Sequence, residues 1–224
     1  MKGAVLLVSL ACLLGPALAQ TGSSSAAEKW DGRYDREGYV YGSDPVEFLR
    51  QQVGRLGSGK ALCLAAGEGR NAVFLAQHGF AVTAVDISAR GLEKCLALAA
   101  ARGVQVDTVV ADLDVYDLGK EKWDLITDFY YHDLDLFPRV LAALKPGGRF
   151  IMQNFSLDHP DIGRFGPRNP EYLAGPNQAL RPFLDWRIRH YEDATVQLDE
   201  GMHQGPGAVV RLIVEKVPAA VGDP

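Results

Sequence analysis

The stretch from Lys60 to Ser88 constrains this chain more than any other. It reads Lys60-Ala-Leu-Cys-Leu-Ala-Ala-Gly67-Glu-Gly69-Arg-Asn71, then a short apolar segment, then Ala81-Val-Thr-Ala-Val-Asp86-Ile-Ser88. A near-continuous apolar run of strand length that breaks at Gly67-x-Gly69 predicts a buried parallel strand entering a tight turn. Residues Asn71 to Gln77 place apolar side chains on one helical face, and His78-Gly79 supplies the stop. The second strand ends on Asp86, about 20 residues past the first glycine, the spacing of a nucleotide-binding β-α-β unit. In such a unit glycines let the backbone approach a ligand closely. The carboxylate can accept hydrogen bonds from both ribose hydroxyls.

Two ligand classes use this unit. Gly67-x-Gly69-x-x-Ala72 satisfies the dinucleotide fingerprint in its Gly/Ala variant. It equally matches an adenosyl-methionine loop, which needs close approach to a methionine tail. Glycine spacing leaves both open.

At 224 residues the chain suits one sizeable α/β domain, and a composition 47% hydrophobic and 23% charged supports a packed core. The formal charge of −5, with acids and bases interspersed, gives no basic stripe for nucleic acid. The N-terminus departs from this pattern. Met1-Lys2, the apolar run Ala4 to Leu14, the break at Gly15-Pro16 and Ala17-Leu18-Ala19 form a secretory signal peptide over residues 1–19. Cleavage after Ala19 would leave a small-residue linker over 20–27 and an exported protein. The apolar run is too short for a stable membrane span. Cys63 and Cys95 survive cleavage, one in the first strand and one on a helix, and do not read as a disulfide framework.

Around the central unit, an aromatic lead-in contains Trp30, Arg33, Tyr34 and Tyr41, followed by a helix expected to start at Pro45 with Ser43 or Asp44 as cap. These aromatics either pack that helix on the sheet edge or form a lid, since a sulfonium cation is drawn to aromatic faces. Ser88 is read as the cap of a helix running to about Arg102, with Leu92, Leu96 and Ala99 on its buried face and Gly103 ending it. Further strands are expected over Val104 to Ala111, Trp123 to Phe129 and Arg149 to Asn154, and a helix over Phe137 to Leu144. Residues 155–182 read as a long loop with at most one short helix, and loops of that length in compact domains usually serve function. Two β-patterned stretches, Asp185 to Gln197 and Gly207 to Val217, flank a glycine-rich hairpin connection at 201–207.

The sequence resembles the class I S-adenosyl-methionine-dependent methyltransferases. The resemblance rests on Gly67-Glu68-Gly69-Arg70-Asn71, Val85-Asp86-Ile87-Ser88, Ala111-Asp112-Leu113 and Leu144-Lys145-Pro146-Gly147-Gly148, and covers residues 60–154. Within that family the Trp30-Asp-x-Arg33-Tyr34 lead-in and the glycine loop are similar to the tellurite-resistance and thiopurine methyltransferase branch. So is the ending, Glu200-Gly-x-His203 and Ala208-Val-Val-Arg211-Leu. The resemblance implies a Rossmann-like, seven-stranded, mostly parallel sheet with one antiparallel strand and helices on both faces. The methyltransferase domain would span 28–218, with a tail at 219–224. The implied cofactor is S-adenosyl-methionine. Gly67 and Gly69 would lie against its methionine portion, with Glu68 and Asn71 in the same loop. Asp86, Ile87 and Ser88 would hold the ribose, and Asp112 and Leu113 the adenine.

Methyl transfer from a sulfonium is an in-line displacement that depends mainly on placement. A soft anion such as a thiolate or chalcogenide needs no base, whereas an amine or phenol does. His132 and His203 are the candidates. The aromatics Tyr130 and Tyr131 come directly after the fourth strand, where nucleic-acid amino-methylating enzymes carry a Pro-Pro motif absent here. The reading is therefore a small-molecule acceptor, with soft S, Se or Te nucleophiles first and N or O second. No nucleic-acid partner and no metal are expected, and a monomer is the favoured state. The alternatives are an exported nucleoside-binding protein without turnover on the same scaffold, and a nicotinamide-dependent oxidoreductase.

Overall fold

The β-α-β unit read around Gly67 and Asp86 lies at the centre of a seven-stranded sheet. A computed structural model of the chain describes residues 21–218; the expected leader at 1–19 and the tail at 219–224 lie outside the described residues. The strands are β1 (Gly59–Leu64), β2 (Phe80–Asp86), β3 (Asp107–Val110), β4 (Trp123–Phe129), β5 (Leu144–Phe155), β6 (Arg187–Glu200) and β7 (His203–Glu215). Their order is β3-β2-β1-β4-β5-β7-β6. Strands β1 to β5 pair in parallel, β7 runs against both β5 and β6, and so β7 alone reverses. Strand order changes direction between β1 and β4, and open α/β sheets bind ligands at that switch, beyond the carboxyl ends of the strands.

Helices cover both faces. On one lie α2 (Glu47–Gln52), α3 (Arg70–Gln77) and α4 (Ala89–Ala101), packed through Phe48, Leu75, Leu92, Cys95 and Leu98. The other carries α5 (Phe137–Ala143) and the turn Arg181–Phe183, where Phe137, Phe150 and Phe183 meet with ring centroids 5.4–5.9 Å apart. Each such buried ring contributes roughly 1.5–3 kcal/mol through the area it removes from water. No helix among the described residues is long and apolar enough to cross a membrane.

Several local expectations are corrected. Residues 21–27, expected as a linker, belong to α1 (Thr21–Tyr34), which continues without interruption into the aromatic lead-in and packs on α4. The helix expected at Pro45 begins at Glu47 with no local side-chain cap. Its first amides are satisfied from afar: Val46 N–H donates to Asn71 Oδ1 at 2.9 Å and Glu47 N–H to Glu200 Oε1 at 3.1 Å. Leu96 is exposed; α4 buries Leu92, Cys95, Leu98 and Ala99, a stripe rotated from the expected one. Strand β5 starts at Leu144 and carries Pro146-Gly147-Gly148 within it. A shift of register against β4 absorbs these residues, and Gly147 N–H is sealed on Lys216 O. The long loop holds three short helical turns, α6 (His159–Ile162), Pro170–Tyr172 and Arg181–Phe183. The hairpin turn is tighter than expected, at Gly201-Met202, with Gly205 and Gly207 inside β7.

Gly69 shows why the turn after β1 needs glycine. Its φ is +83°, and a Cβ there would stand 2.9 Å from the Cys95 backbone Cα, with the Cys95 side chain closer still. Replacing Gly69 by Ala combines a left-handed backbone with overpacking, so it should cost about 2–4 kcal/mol of stability in a denaturant titration.

Candidate functional site

The glycine loop is fixed by one carboxylate. Asp86, buried at the end of β2, accepts Gly67 N–H through Oδ2 at 2.7 Å and Ser88 N–H through Oδ1 at 2.8 Å. Burial pushes its pKa up, the two backbone amides pull it back, and nearby Asp31 raises it further. Each carboxylate oxygen retains acceptor capacity beyond its backbone bond, so both ribose hydroxyls can still be served. Ser88 caps α4 as expected, accepting Gly91 N–H at 2.9 Å. Its hydroxyl donates in turn to Asp31 Oδ1 at 2.6 Å, which also accepts Arg90 N–H. Thus α1 is tied to the α4 N-terminus directly beside the loop.

That tie places Tyr34 against the glycines. A Cβ on Gly67 would lie 2.7 Å from the Tyr34 hydroxyl oxygen, and one on Gly91 would lie 3.0 Å from the Tyr34 ring. The Tyr34 phenol is buried, and desolvation followed by the Asp86 charge raises its pKa strongly. Trp30 stacks on Tyr34 with centroids 5.7 Å apart, and Tyr34 meets Tyr41 edge-on at 6.4 Å. Arg33 lies over the Tyr41 ring and donates to its hydroxyl at 3.3 Å. Tyr41 then reaches His203 at 5.2 Å, His203 reaches Tyr130 at 4.6 Å, and Tyr130 reaches Phe155 at 4.9 Å. Six of the aromatic and histidine rings thus form one strip from the glycine loop to the end of β5.

Glu68 and Asn71, expected at the cofactor, commit their side chains elsewhere. Glu68 accepts Val40 N–H at 2.7 Å and pairs with Lys94 at 2.8 Å, while Asn71 holds Val46. Both therefore anchor the lead-in to the loop. Ile87 is half-buried between Asp86 and Ser88. Asp112 lies just past β3, accepts Asp114 N–H at 3.0 Å and is half-exposed, beside buried Leu113. Ala111 N–H donates to Asp86 O at 2.9 Å, so the ends of β2 and β3 are locked together.

Beyond β4 the chain turns through Tyr130, whose φ of +68° is a strained conformation for a bulky residue. A hydrogen-bonded chain holds it there. Its hydroxyl donates to Glu200 Oε2 at 2.6 Å and accepts from Gln153 Nε2; Arg211 Nε donates to Gln153 Oε1 at 2.7 Å. Buried Arg70 donates to Tyr41 O at 2.6 Å and lies 3.7 Å from Glu200. His203 sits among Tyr41, Tyr130, Phe155 and Phe165, and burial, with Arg70 next, pushes its pKa down to about 3. It is a neutral ring at physiological pH. His159, given no role from sequence, is structural: Ala208 N–H donates to its Nδ1, which leaves Nε2 to donate to Phe165 O at 2.7 Å.

Tyr131 and His132 lie apart from this strip. Tyr131 packs on the α5 side of the sheet, and His132 lines a cavity of about 480 Å³ with Asp133, Asp135, Leu157, Glu171 and Leu173 among its walls. Burial lowers the His132 pKa. Behind Tyr131 sits Asp128, fully buried, its Oδ1 accepting Tyr131 N–H at 3.2 Å. Desolvation pushes its carboxyl up to about 8. The residues that sequence reasoning missed are Arg70, Asp128, Gln153, Asn154 and Glu200. Asp128 carried a signal: a carboxyl closing an otherwise apolar strand, Leu125-Ile-Thr-Asp128-Phe, must be buried at a cost. Among the described residues no group of three His, Cys, Asp or Glu is arranged to hold a metal ion.

The two perturbed groups bend stability in opposite directions. Asp128 has its folded pKa raised from 3.8, so its contribution is fully present below 3.8 and is lost as pH rises towards 8. His203 has its folded pKa depressed from 6.5, so stability falls as pH drops from 6.5 towards 3. Each slope is about 1.4 kcal/mol per pH unit for one proton. Asp128→Asn should therefore flatten the alkaline limb and gain at least about 1 kcal/mol at pH 8, leaving the acid limb unchanged in denaturant titrations.

Comparison with known proteins agrees with this geometry. Residues 61–148 match the family model of a methyltransferase domain. A curated relative, hemagglutinin 1 of Eikenella corrodens, is 27% identical over 154 residues, which cover 65% of this chain and 50% of the relative. The chain thus spans half the length of that relative. Among solved structures, TehB from Haemophilus influenzae superposes with a TM-score of 0.64 at 15% identity, covering 85% of this chain and 66% of that one. Geranyl diphosphate C-methyltransferase from Streptomyces coelicolor A3(2), solved with S-adenosyl-L-homocysteine, gives 0.63 at 18% identity, covering 90% of this chain and all of that one. Residues 61–148 thus match a methyltransferase domain, and the fold is one shared with S-adenosyl-methionine-dependent methyltransferases.

Proposed function

We propose that the chain transfers the methyl group of S-adenosyl-methionine to a small-molecule acceptor. The observation that carries this reading is the Asp86 clamp on the glycine loop, set at the topological switch with an aromatic strip beside it. Residues present fit the cofactor: Asp86 has free acceptor capacity for a ribose, Gly67 exposes backbone, and Asp112 stands at the end of the adjoining strand. When bound, the cofactor supplies an electrophilic methyl on a sulfonium, a cation that the faces of Tyr34, Tyr41 and Tyr130 suit.

A small acceptor is supported by the enclosing walls. Phe165 from the 155–182 loop, Tyr41 from the lead-in and His203 from the hairpin meet over the carboxyl ends of the strands. The order of acceptor chemistry changes from the one sequence favours. Asp133, Asp114 and Asp112 all act on Tyr131, and Asp135 adds to the field on Asp114. Such a field repels a chalcogenide or thiolate anion, so an uncharged or cationic nitrogen or oxygen nucleophile ranks first and a soft anion second. His132, held neutral by burial, is then the group able to take up a proton.

Two measurements test this reading. Asp86→Ala should weaken S-adenosyl-methionine binding by about tenfold or more in calorimetry, since the ribose loses a charged acceptor; wild-type affinity would sink the assignment. In a methyl-transfer screen over amines, phenols, thiols, selenite and tellurite, His132→Ala should lower kcat about 10²-fold or more for amines and phenols and spare thiolates. Export is proposed from the leader sequence. Protein made in a secreting host should start at Gln20 by mass spectrometry, and an intact Met1 would refute export.

A further inference from the structure

We propose that two copies of the chain form a symmetric homodimer by antiparallel pairing of the outer edges of their β6 strands, which joins the two sheets into one. This surface is independent of the methyltransferase reading, and it replaces the monomer favoured from sequence.

The first observation is the edge itself. The sheet ends on β3 at one side and on β6 at the other. Strand β3 has four residues and offers little to a neighbour, whereas β6 runs for 14. Among the described residues β6 pairs with β7 and with no other strand. In an antiparallel ladder every second residue turns its N–H and C=O away from its partner. None of those outward groups on β6 bonds to a backbone group of another described element. The usual protections of an edge are also missing from most of it. Strand β6 holds no proline and no lysine, and its bulge lies near its start, between Ile188 and His190.

The second observation selects the occupant. Charge along β6 is ordered, with Arg187 and Arg189 at its start and Asp193 and Asp199 further on. Arg187 and Arg189 share Glu215 with Arg149, so three guanidinium groups on one carboxylate leave that end with surplus positive charge. Asp199 is exposed and makes no ion pair within the described residues. A two-fold axis sets each basic start against the acidic end of the other copy, so the edge is complementary to itself when laid antiparallel. An axis normal to the sheet keeps each side chain on its own face, so it must pass through a residue. At Asp193 it would oppose two carboxylates. At Ala194 it opposes two methyl groups, sets Asp193 beside the partner's Thr195, and brings Arg189 level with the partner's Asp199. Arg189 is the extra residue of the bulge, with no opposite number on β7. Pairing of this kind consumes both long edges and leaves only β3 exposed, so association stops at two.

Sedimentation velocity of the purified chain across a concentration series tests the proposal. It should show a monomer–dimer equilibrium with a dissociation constant on the order of 10 μM or tighter. Raising salt to 1 M, where the Debye length is about 3 Å, should weaken the dimer. Asp199→Arg and, separately, Arg189→Asp should each weaken dimerisation about tenfold or more while thermal unfolding shows a folded chain. An equimolar mixture of the two variants should recover the dimer, because native charge pairs form on one side of the axis and exchanged pairs on the other. Hydrogen exchange should protect β6 amides at dimer-forming concentration and not on dilution. A chain still monomeric about tenfold above that constant would overturn the proposal. So would a dimer indifferent to salt and to both variants, a mixture no more dimeric than its parts, or a dimer that leaves β6 unprotected. Species that keep growing beyond two would overturn it as well, since they would mark open-ended pairing of β6 with β3.

Discussion

A single buried carboxylate sets the geometry of the ligand-binding end of this protein. Asp86 holds the amide of Gly67 from the loop after β1 and that of Ser88 at the start of α4, at 2.7 and 2.8 Å. Charge-assisted bonds of this kind contribute about 1.5–3 kcal/mol each and fix direction as well as distance. Without them the left-handed turn through Ala65, Gly67 and Gly69 would have no anchor on the neighbouring strand. The clamp also orders the helices around it: Ser88 caps α4, Asp31 accepts the Ser88 hydroxyl, and α1 is thereby laid so that Tyr34 fills the notch between Gly67 and Gly91. Sequence spacing thus leads through a turn to the packing of α1 on the loop.

A second centre, Glu200, gathers elements that are far apart in the chain. Its carboxylate takes the Tyr130 hydroxyl and the Glu47 amide and lies beside Arg70, joining the hairpin tip, the end of β4, and the starts of α2 and α3. A buried ion pair gains little net stability, because desolvation offsets attraction, so its effect is one of position. Here it holds Tyr130 at φ +68°. A strained backbone of that kind costs on the order of 1–3 kcal/mol and persists only where surroundings over-determine it. Glu200, Gln153 and Arg211 are those surroundings, and they set the ring of Tyr130 against His203.

The fold was legible where local pattern and global structure agree. The apolar strand, glycine turn and closing acid at 60–88 read correctly because all three signals are short-range. The terminal hairpin and the Ser88 cap came from the same logic, whereas the reversal of the last strand was implied by the family resemblance. Failures came where a distant partner decides. The start of α2 depends on Asn71 and Glu200, which no window around Pro45 contains. Small residues at 21–27 resemble a linker, yet they form one helix with the lead-in, which packs on α4. Glu68 and Asn71 lie within the glycine-loop motif but serve the lead-in, because a motif fixes backbone path and leaves side-chain partners to the tertiary fold. Arg70, Gln153 and Glu200 carried no local signal at all, since their meeting requires the closed sheet.

The two ends of the sheet treat buried charge differently. At the amino end of β4, Asp124 accepts Lys60 N–H and pairs with Lys145 at 2.9 Å, and its pKa is lowered despite partial burial. On β7, at the same end of the sheet, Glu215 is gripped by Arg149, Arg187 and Arg189, and its pKa is lowered too. These acids are matched by the fold itself. At the carboxyl ends Asp128 is pushed up to about 8 and His203 down to about 3, both by burial first. His190 on β6 aside, the buried side-chain atoms without partners among the described residues belong to Arg33, Asp128, His132, Asn154, Ser156 and His203, all on that side. Each such atom costs about 1–3 kcal/mol in a protein whose whole margin is about 5–15. A chain able to satisfy Asp124 and Glu215 fully has the means to satisfy Asp128 as well, by one basic residue or by an apolar one in its place. The fold thus carries that cost at the carboxyl ends of the strands and avoids it at the amino ends.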